Sequence, residues 1–143
     1  MSIKVLVADD SGVMRQAICR LLHAEPEIEV VGEAADHAQT ILMTNDLKPQ
    51  VIVLDLHMPD ETKFTPMEFR SQLNHNPLLL GVSLWNDQIT TELAKSFDAI
   101  MRLDNMELAQ TLGPSIMQSL SPKPATDQHH RFSNQTHFTS KIA

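Results

Sequence analysis

The chain has 143 residues, of which 42% are hydrophobic and 20% charged, the balance of a soluble globular domain rather than of a disordered chain. Lys and Arg number 11 against 18 Asp and Glu, giving a formal net charge of −7 and a pI near 5.4, which argues against direct binding to a nucleic-acid backbone. The single cysteine, Cys19, excludes an internal disulfide and a cysteine zinc cluster, and no apolar run approaches a membrane span. Acidic residues follow the first strand too early for a secretory signal, so a cytoplasmic location is expected.

Short apolar segments alternate with segments of helical period. Residues 3–8 (IKVLVA) read as a first strand, and Ser11 is placed to cap a helix whose inner face carries Val13, Ala17, Ile18, Leu21 and Leu22. Residues 28–34 (IEVVGEA) form a second strand, followed by a helix capped by Asp36 with Ala38, Ile41 and Leu42 inward. A third strand, residues 51–56 (VIVLDL), leads to a helix with Pro66 in its first turn and Met67, Phe69, Arg70 and Leu73 along it. Residues 78–84 (LLLGVSL) form the fourth strand, and Asp87 or Thr90 opens a helix with Leu93, Ala94 and Phe97 inward. The fifth strand, residues 99–103 (AIMRL), precedes a helix marked by Leu108, Leu112, Ile116 and Leu120, in which Pro114 either kinks the helix or delays its start. Pro26, Pro49 and Pro77 fall between helix and strand, where they end helices.

Five strict strand–helix repeats imply a parallel sheet covered by helices on both faces. The near-continuous Val, Ile and Leu runs suit strands buried on both sides. The fold class is therefore α/β, a doubly wound flavodoxin-like (βα)5 architecture with a five-stranded parallel sheet in the order 2-1-3-4-5. Residues 1–120 make up this domain. Residues 121–143 are rich in Ser, Thr, Pro, His, Asn and Gln and read as a flexible polar tail or a truncated linker. That tail carries Lys123, Arg131 and Lys141 against Asp127, so the acidic excess belongs to the body. Its His129, His130 and His137 lack a ligand spacing and read as solvated.

Ligands of such sheets bind beyond the carboxyl ends of the strands, at the switch point between strands 1 and 3. There the first strand runs into Asp9 and Asp10, and the third carries Asp55 near its end. One Asp alone is explained as a helix cap. Three converging acids repel one another unless a cation compensates, and oxygen-only donors favour Mg2+ over zinc.

The segment IKVLVADDSGVMRQAICRLL, then EIEVVGEAAD, then VIVLDLHMPD, resembles the receiver domain of bacterial response regulators, members of the CheY-like superfamily. The resemblance covers about residues 3–120 and rests on Asp9-Asp10 together with Asp55-Leu56-His57-Met58-Pro59. It implies a two-component signalling protein in which Asp55 accepts a phosphoryl group from a sensor histidine kinase. Asp9, Asp10, Asp55 and the backbone carbonyl of His57 would then hold Mg2+, and the His57 side chain would be incidental. Ser83, at the end of the fourth strand, matches the hydroxyl switch of the family. The chemistry suits the residues, since a carboxylate is a competent nucleophile toward phosphorus and the metal neutralises acceptor and transferred group together. The chain is expected to act not as an enzyme on a separate substrate but as a phosphoacceptor that catalyses only its own modification. It would signal through protein contacts of helix 4, strand 5 and helix 5 to a downstream protein, without direct nucleic-acid or membrane binding, and a homodimer is compatible with this reading.

The chain departs from the family in several places. The family's Lys at the end of the fifth strand is here Leu103 or Asn105, according to register, and neither is a cation. A lost charge-assisted hydrogen bond is worth about 1.5–3 kcal/mol. Arg102 and Lys63 are the candidates to reach in as a substitute cation. Ile100 stands where the family has an aromatic, and Leu84 where it has a small residue. The adjacent Trp85, the chain's only tryptophan, reads equally as a partner anchor or as packing. After Met58-Pro59, the segment DETKFTP is longer than usual and contains no Gly. These breaks motivate an alternative, a pseudo-receiver that binds partners with weak or no phosphorylation. A dehalogenase-type phosphatase is disfavoured because it needs Asp-x-Asp after the first strand, whereas this chain has Asp9-Asp10-Ser11. A nucleotide site is disfavoured by the lack of a Gly-rich phosphate loop.

Overall fold

The computed structural model describes residues 2–83, 88–97, 101–103 and 105–120, with the side chains of 101–111 outside the description. The elements follow in the order β1 (Ile3–Ala8), α1 (Gly12–His23), β2 (Ile28–Ala34), α2 (His37–Leu47), β3 (Val51–Asp55), α3 (Pro66–Ser71), β4 (Leu78–Val82), α4 (Gln88–Ser96), β5 (Met101–Leu103) and α5 (Asn105–Ser119). All strand pairs are parallel, in the order β2-β1-β3-β4-β5. The α/β doubly wound architecture expected from the alternation is therefore present.

The apolar runs are explained by burial on both faces. Val5 and Val7 of β1, Val51 and Val53 of β3, and Leu80 and Val82 of β4 pack with Ile18, Cys19 and Leu22 of α1 and with Leu112 and Ile116 of α5. The intervening residues, Leu6, Ala8, Ile52, Leu54 and Leu79, point the other way and meet Ile41, Phe69, Ala94 and Phe97 of α2, α3 and the α4 end. Each fully buried Leu, Ile, Val or Phe contributes about 1.5–3 kcal/mol relative to exposure, so this two-sided layer is the main favourable term. The central strands β1 and β3 bring their carboxyl ends together because Val5–Ala8 lie in register with Val51–Leu54.

Capping fixes where helices begin. Ser11 accepts from the Met14 N–H and Asp36 from the Gln39 N–H. Thr65 and Glu68 form a reciprocal capping box ahead of Pro66. The helix α2 ends on Lys48 in the left-handed region (φ 51°), immediately before Pro49. Pro114 lies inside α5, which runs on past it rather than starting after it.

Several helix faces differ from the sequence expectation. Val13, Ala17, Ala38, Leu42 and Met67 are exposed. In α2 the inward stripe is instead His37, Thr40, Ile41 and Thr44, an i, i+3, i+4, i+7 set with only one apolar member. Apolar identity alone places that face a quarter-turn away. Thr90 does not open α4: it is the third residue of the helix and is buried. Asp87, the other cap considered, lies outside the described residues, as do Leu84, Trp85, Ile100 and the tail from residue 121. The third and fourth strands stop at Asp55 and Val82, one and two residues short of the expected ends.

Candidate functional site

The chain turns out of β1 at Asp9, whose N–H still donates to the Ala34 carbonyl of β2 at 3.0 Å. That last ladder bond pins Asp9 at the carboxyl end of the sheet. The Asp9 Oδ1 accepts from the Ser11 N–H at 2.9 Å, and the Asp9 carbonyl accepts from Arg15 Nη1 at 2.8 Å. The same guanidinium makes an ion pair with Glu33 on β2 (Nε–Oε1 3.2 Å), which holds it over the start of α1. Asp55 closes β3, and its Oδ1 accepts from the His57 N–H at 2.9 Å. One oxygen from each of Asp9, Asp10 and Asp55 lies within 4.8 Å of the others, the only such cluster of potential metal ligands among the described residues. Asp9 is buried, Asp55 half-buried and Asp10 exposed, so the cluster opens to solvent on the Asp10 side.

The electrostatics follow from this crowding. Burial pushes the Asp9 carboxyl above its usual range, Asp10 adds to the push, and the Ser11 N–H and Arg15 oppose it. Asp55 is pushed up to about 8, first by burial and then by Asp9 and Asp10, against the pull of the His57 N–H. Without a cation, this crowding favours the neutral form of the Asp55 carboxyl. A hard divalent ion held by the three carboxylates would relieve the same repulsion. Three carboxylate oxygens from different positions, with open solvent on one side for waters, fit Mg2+, which keeps part of its hydration shell.

Ser83 follows Val82 directly and is buried. Val82 pairs with Asp55 on one side and with Leu103 on the other, so these three residues form a row across β3, β4 and β5. Ser83 thus stands one residue beyond the row that carries Asp55. Of the two positions considered for the missing Lys, Leu103 ends β5 and Asn105 begins α5.

Three contributors to the site are not evident from sequence. The His57 ring is engaged: Nε2 lies 3.1 Å from Thr90 Oγ1 on α4 and Nδ1 lies 3.5 Å from Glu61 Oε2. Asp60, in the long segment after Pro59, accepts from the His37 and Ala38 N–H groups at 2.9 and 3.1 Å and so binds that segment to the N-terminus of α2. The His37 ring is fully buried among Phe64, Phe69 and Phe97, with centroids 6.1, 5.2 and 5.7 Å away. Arg15, by contrast, has a local signal, its place one helical turn after the cap Ser11. Asp60 and His57 find partners 23 and 33 residues away, which no periodicity marks.

A doubly wound parallel sheet with three acids at the ends of its first and third strands defines a receiver-type signalling domain. Residues 5–103 match the response regulator receiver domain family, and the chain belongs to it. The chain is 34% identical over 89 residues to a protein-glutamate methylesterase/protein-glutamine glutaminase of Syntrophomonas wolfei, covering 62% of this chain and 25% of that protein. It is 38% identical over 87 residues to one from Alkalilimnicola ehrlichii, covering 61% and 22%. The chain thus spans about a quarter of the length of these curated relatives. In fold it is similar to the signal receiver domain of the putative response regulator NarL from Mycobacterium tuberculosis (TM-score 0.70, 22% identity, 82% of this chain and 95% of that one). It is likewise similar to the response regulator domain of Thermotoga maritima CheB (TM-score 0.65, 24% identity, 83% and 93%). Among the described residues no helix is long and apolar enough to cross a membrane.

Proposed function

We propose that the chain accepts a phosphoryl group on Asp55 from a phosphohistidine of a sensor kinase, using Mg2+ bound by Asp9, Asp10, Asp55 and the His57 backbone carbonyl. The observation that carries this reading is the carboxylate cluster, in which Asp55 is half-buried at a strand end and held by only one backbone donor among the described residues. In the transfer, an Asp55 oxygen attacks phosphorus as the bond from phosphorus to the histidine nitrogen breaks, and the nitrogen leaves with its electron pair. The metal supplies charge neutralisation for the acceptor and the moving group. Asp9 and Asp10 position it, and Ser83 hydrogen-bonds a phosphoryl oxygen once the group is in place. The acidic composition supports protein partners over nucleic acid, and a cytoplasmic protein that acts alone or as a homodimer fits the same reading. Residues 1–120 act as the signalling domain and 121–143 as a tail or linker.

A second reading, a pseudo-receiver that binds partners with weak or no phosphorylation, is favoured by one observation. The row Asp55–Val82–Leu103 brings an apolar residue to the end of β5, and neither Leu103 nor Asn105, the two matches to the family's Lys, is a cation. Incubation of the full chain with acetyl phosphate and Mg2+, followed by intact-mass spectrometry, separates the two. One added phosphoryl group, absent in Asp55→Asn and without metal, supports the first reading. No adduct from either acetyl phosphate or a phosphorylated kinase supports the second.

A further inference from the structure

His57 holds two parts of the molecule at once. Its backbone N–H donates to Asp55 Oδ1 at 2.9 Å, and its ring Nε2 lies 3.1 Å from the hydroxyl of Thr90, 33 residues further along. Thr90 is buried in the first turn of α4. The Glu61 carboxylate faces the other ring nitrogen at 3.5 Å, which favours a proton on Nδ1 and leaves Nε2 to accept from the Thr90 hydroxyl. The ring is therefore oriented from both edges, by its own loop on one side and by α4 on the other.

We infer that His57 is a positioning residue that ties α4 to the acceptor, so that a change of charge at Asp55 reaches α4 through its imidazole. The inference rests on the reading of Asp55 as phosphoacceptor and adds the route by which the event leaves the site. Modifying the Asp55 carboxylate alters the acceptor that the His57 N–H now holds. A displacement of His57 by about 1 Å takes a bond of this length out of range, so the ring either draws α4 with it or releases it. The route needs neither the absent Lys nor the absent aromatic of β5.

The test uses the full chain and four variants. Thr90→Val removes the hydroxyl and keeps the branched shape, Thr90→Ser keeps the hydroxyl, His57→Phe keeps a ring without the acceptor, and the fourth combines Thr90→Val with His57→Phe. In the unmodified protein, amide hydrogen exchange of residues 56–65 and of residues 88–96 rises together, about tenfold, in Thr90→Val and in His57→Phe. The double variant adds nothing further, and Thr90→Ser stays near the parent. After acetyl phosphate and Mg2+, Thr90→Val still gains the phosphoryl group by mass, but the accompanying change in Trp85 emission shrinks about fivefold or more, and Thr90→Ser restores it. Exchange changes confined to the mutated element, additive effects in the double variant, or a full Trp85 response in Thr90→Val overturn the inference. So does a parent protein whose emission ignores a modified Asp55. If the parent takes no phosphoryl group, the reading of Asp55 falls, and the exchange data still decide whether the tether exists.

Discussion

Replacing His37 by Leu makes the protein more stable, and increasingly so toward acid. Both ring nitrogens of His37 are buried without a hydrogen-bond partner among the described residues, and the ring is enclosed by Phe64, Phe69 and Phe97. An unsatisfied buried polar group costs about 1–3 kcal/mol. Leu is close in volume, so it removes that cost and loses ring contacts worth about 0.5–1.5 kcal/mol. The net gain near pH 7.5 is about 1 kcal/mol. The pH dependence is the sharper part. Burial lowers the His37 pKa below its usual 6.5, and the nearby Asp36, Asp60 and Glu61 offset this only in part. The unfolded chain therefore takes up a proton before the native protein does. Native stability contributed by neutral His37 is complete above about pH 6.5 and is lost as the pH falls below it, by at most about 1.4 kcal/mol per pH unit. Urea unfolding followed by circular dichroism at pH 7.5 and 5.5 reads the difference directly. An advantage of the His37→Leu variant that stays constant between the two pH values, or a variant less stable at both, refutes the account of a buried neutral imidazole.

Asp55→Asn stabilises the metal-free fold at pH 8 by about 1–3 kcal/mol and by much less at pH 4, measured by the same unfolding assay. The sign follows from the raised Asp55 value of about 8: its contribution is complete below the unfolded 3.8 and is lost as the pH rises toward 8. In the parent protein, Mg2+ binding measured by calorimetry tightens from pH 6 to pH 8, by up to about tenfold per unit where one proton is released. Asp60→Ala removes two bonds to the N-terminus of α2 and lowers stability by about 1–2 kcal/mol, with faster amide exchange at His37 and Ala38. Gly32→Val lowers stability by about 1–3 kcal/mol, because even a Cβ there comes within 2.6 Å of Met43 Cε and 3.2 Å of Leu6 Cδ1.

The strands are legible in the sequence because burial on both faces writes itself as unbroken Val, Ile and Leu runs, and residues 3–8 and 28–34 match β1 and β2 end to end. The caps Ser11 and Asp36 are legible because capping is local chemistry. The acids stand out because strand order converts sequence position into a common edge. What escapes a sequence reading is non-local. The inner face of α2 is polar, since Thr40 satisfies its hydroxyl on the Asp36 carbonyl within the helix and His37 is accepted by a cage of rings from α3, the α4 end and the preceding loop. An apolar stripe search turns that helix the wrong way, toward Ala38 and Leu42. The family pattern gives His57 a role only through its backbone carbonyl, yet its side chain reaches α4.

The edge of the sheet at β2 has its own consequence. Opposite Val5 and Leu6 of β1 the pairing skips a residue, from Val30 to Gly32, so the strand bulges and twists there. Glu29 and Glu33 stand exposed on the same strand. An incoming strand meets a broken ladder of amides and two negative charges, a poor template for edge-to-edge growth. Edge-to-edge pairing of copies through this border, and with it open-ended stacking across β2, is therefore disfavoured.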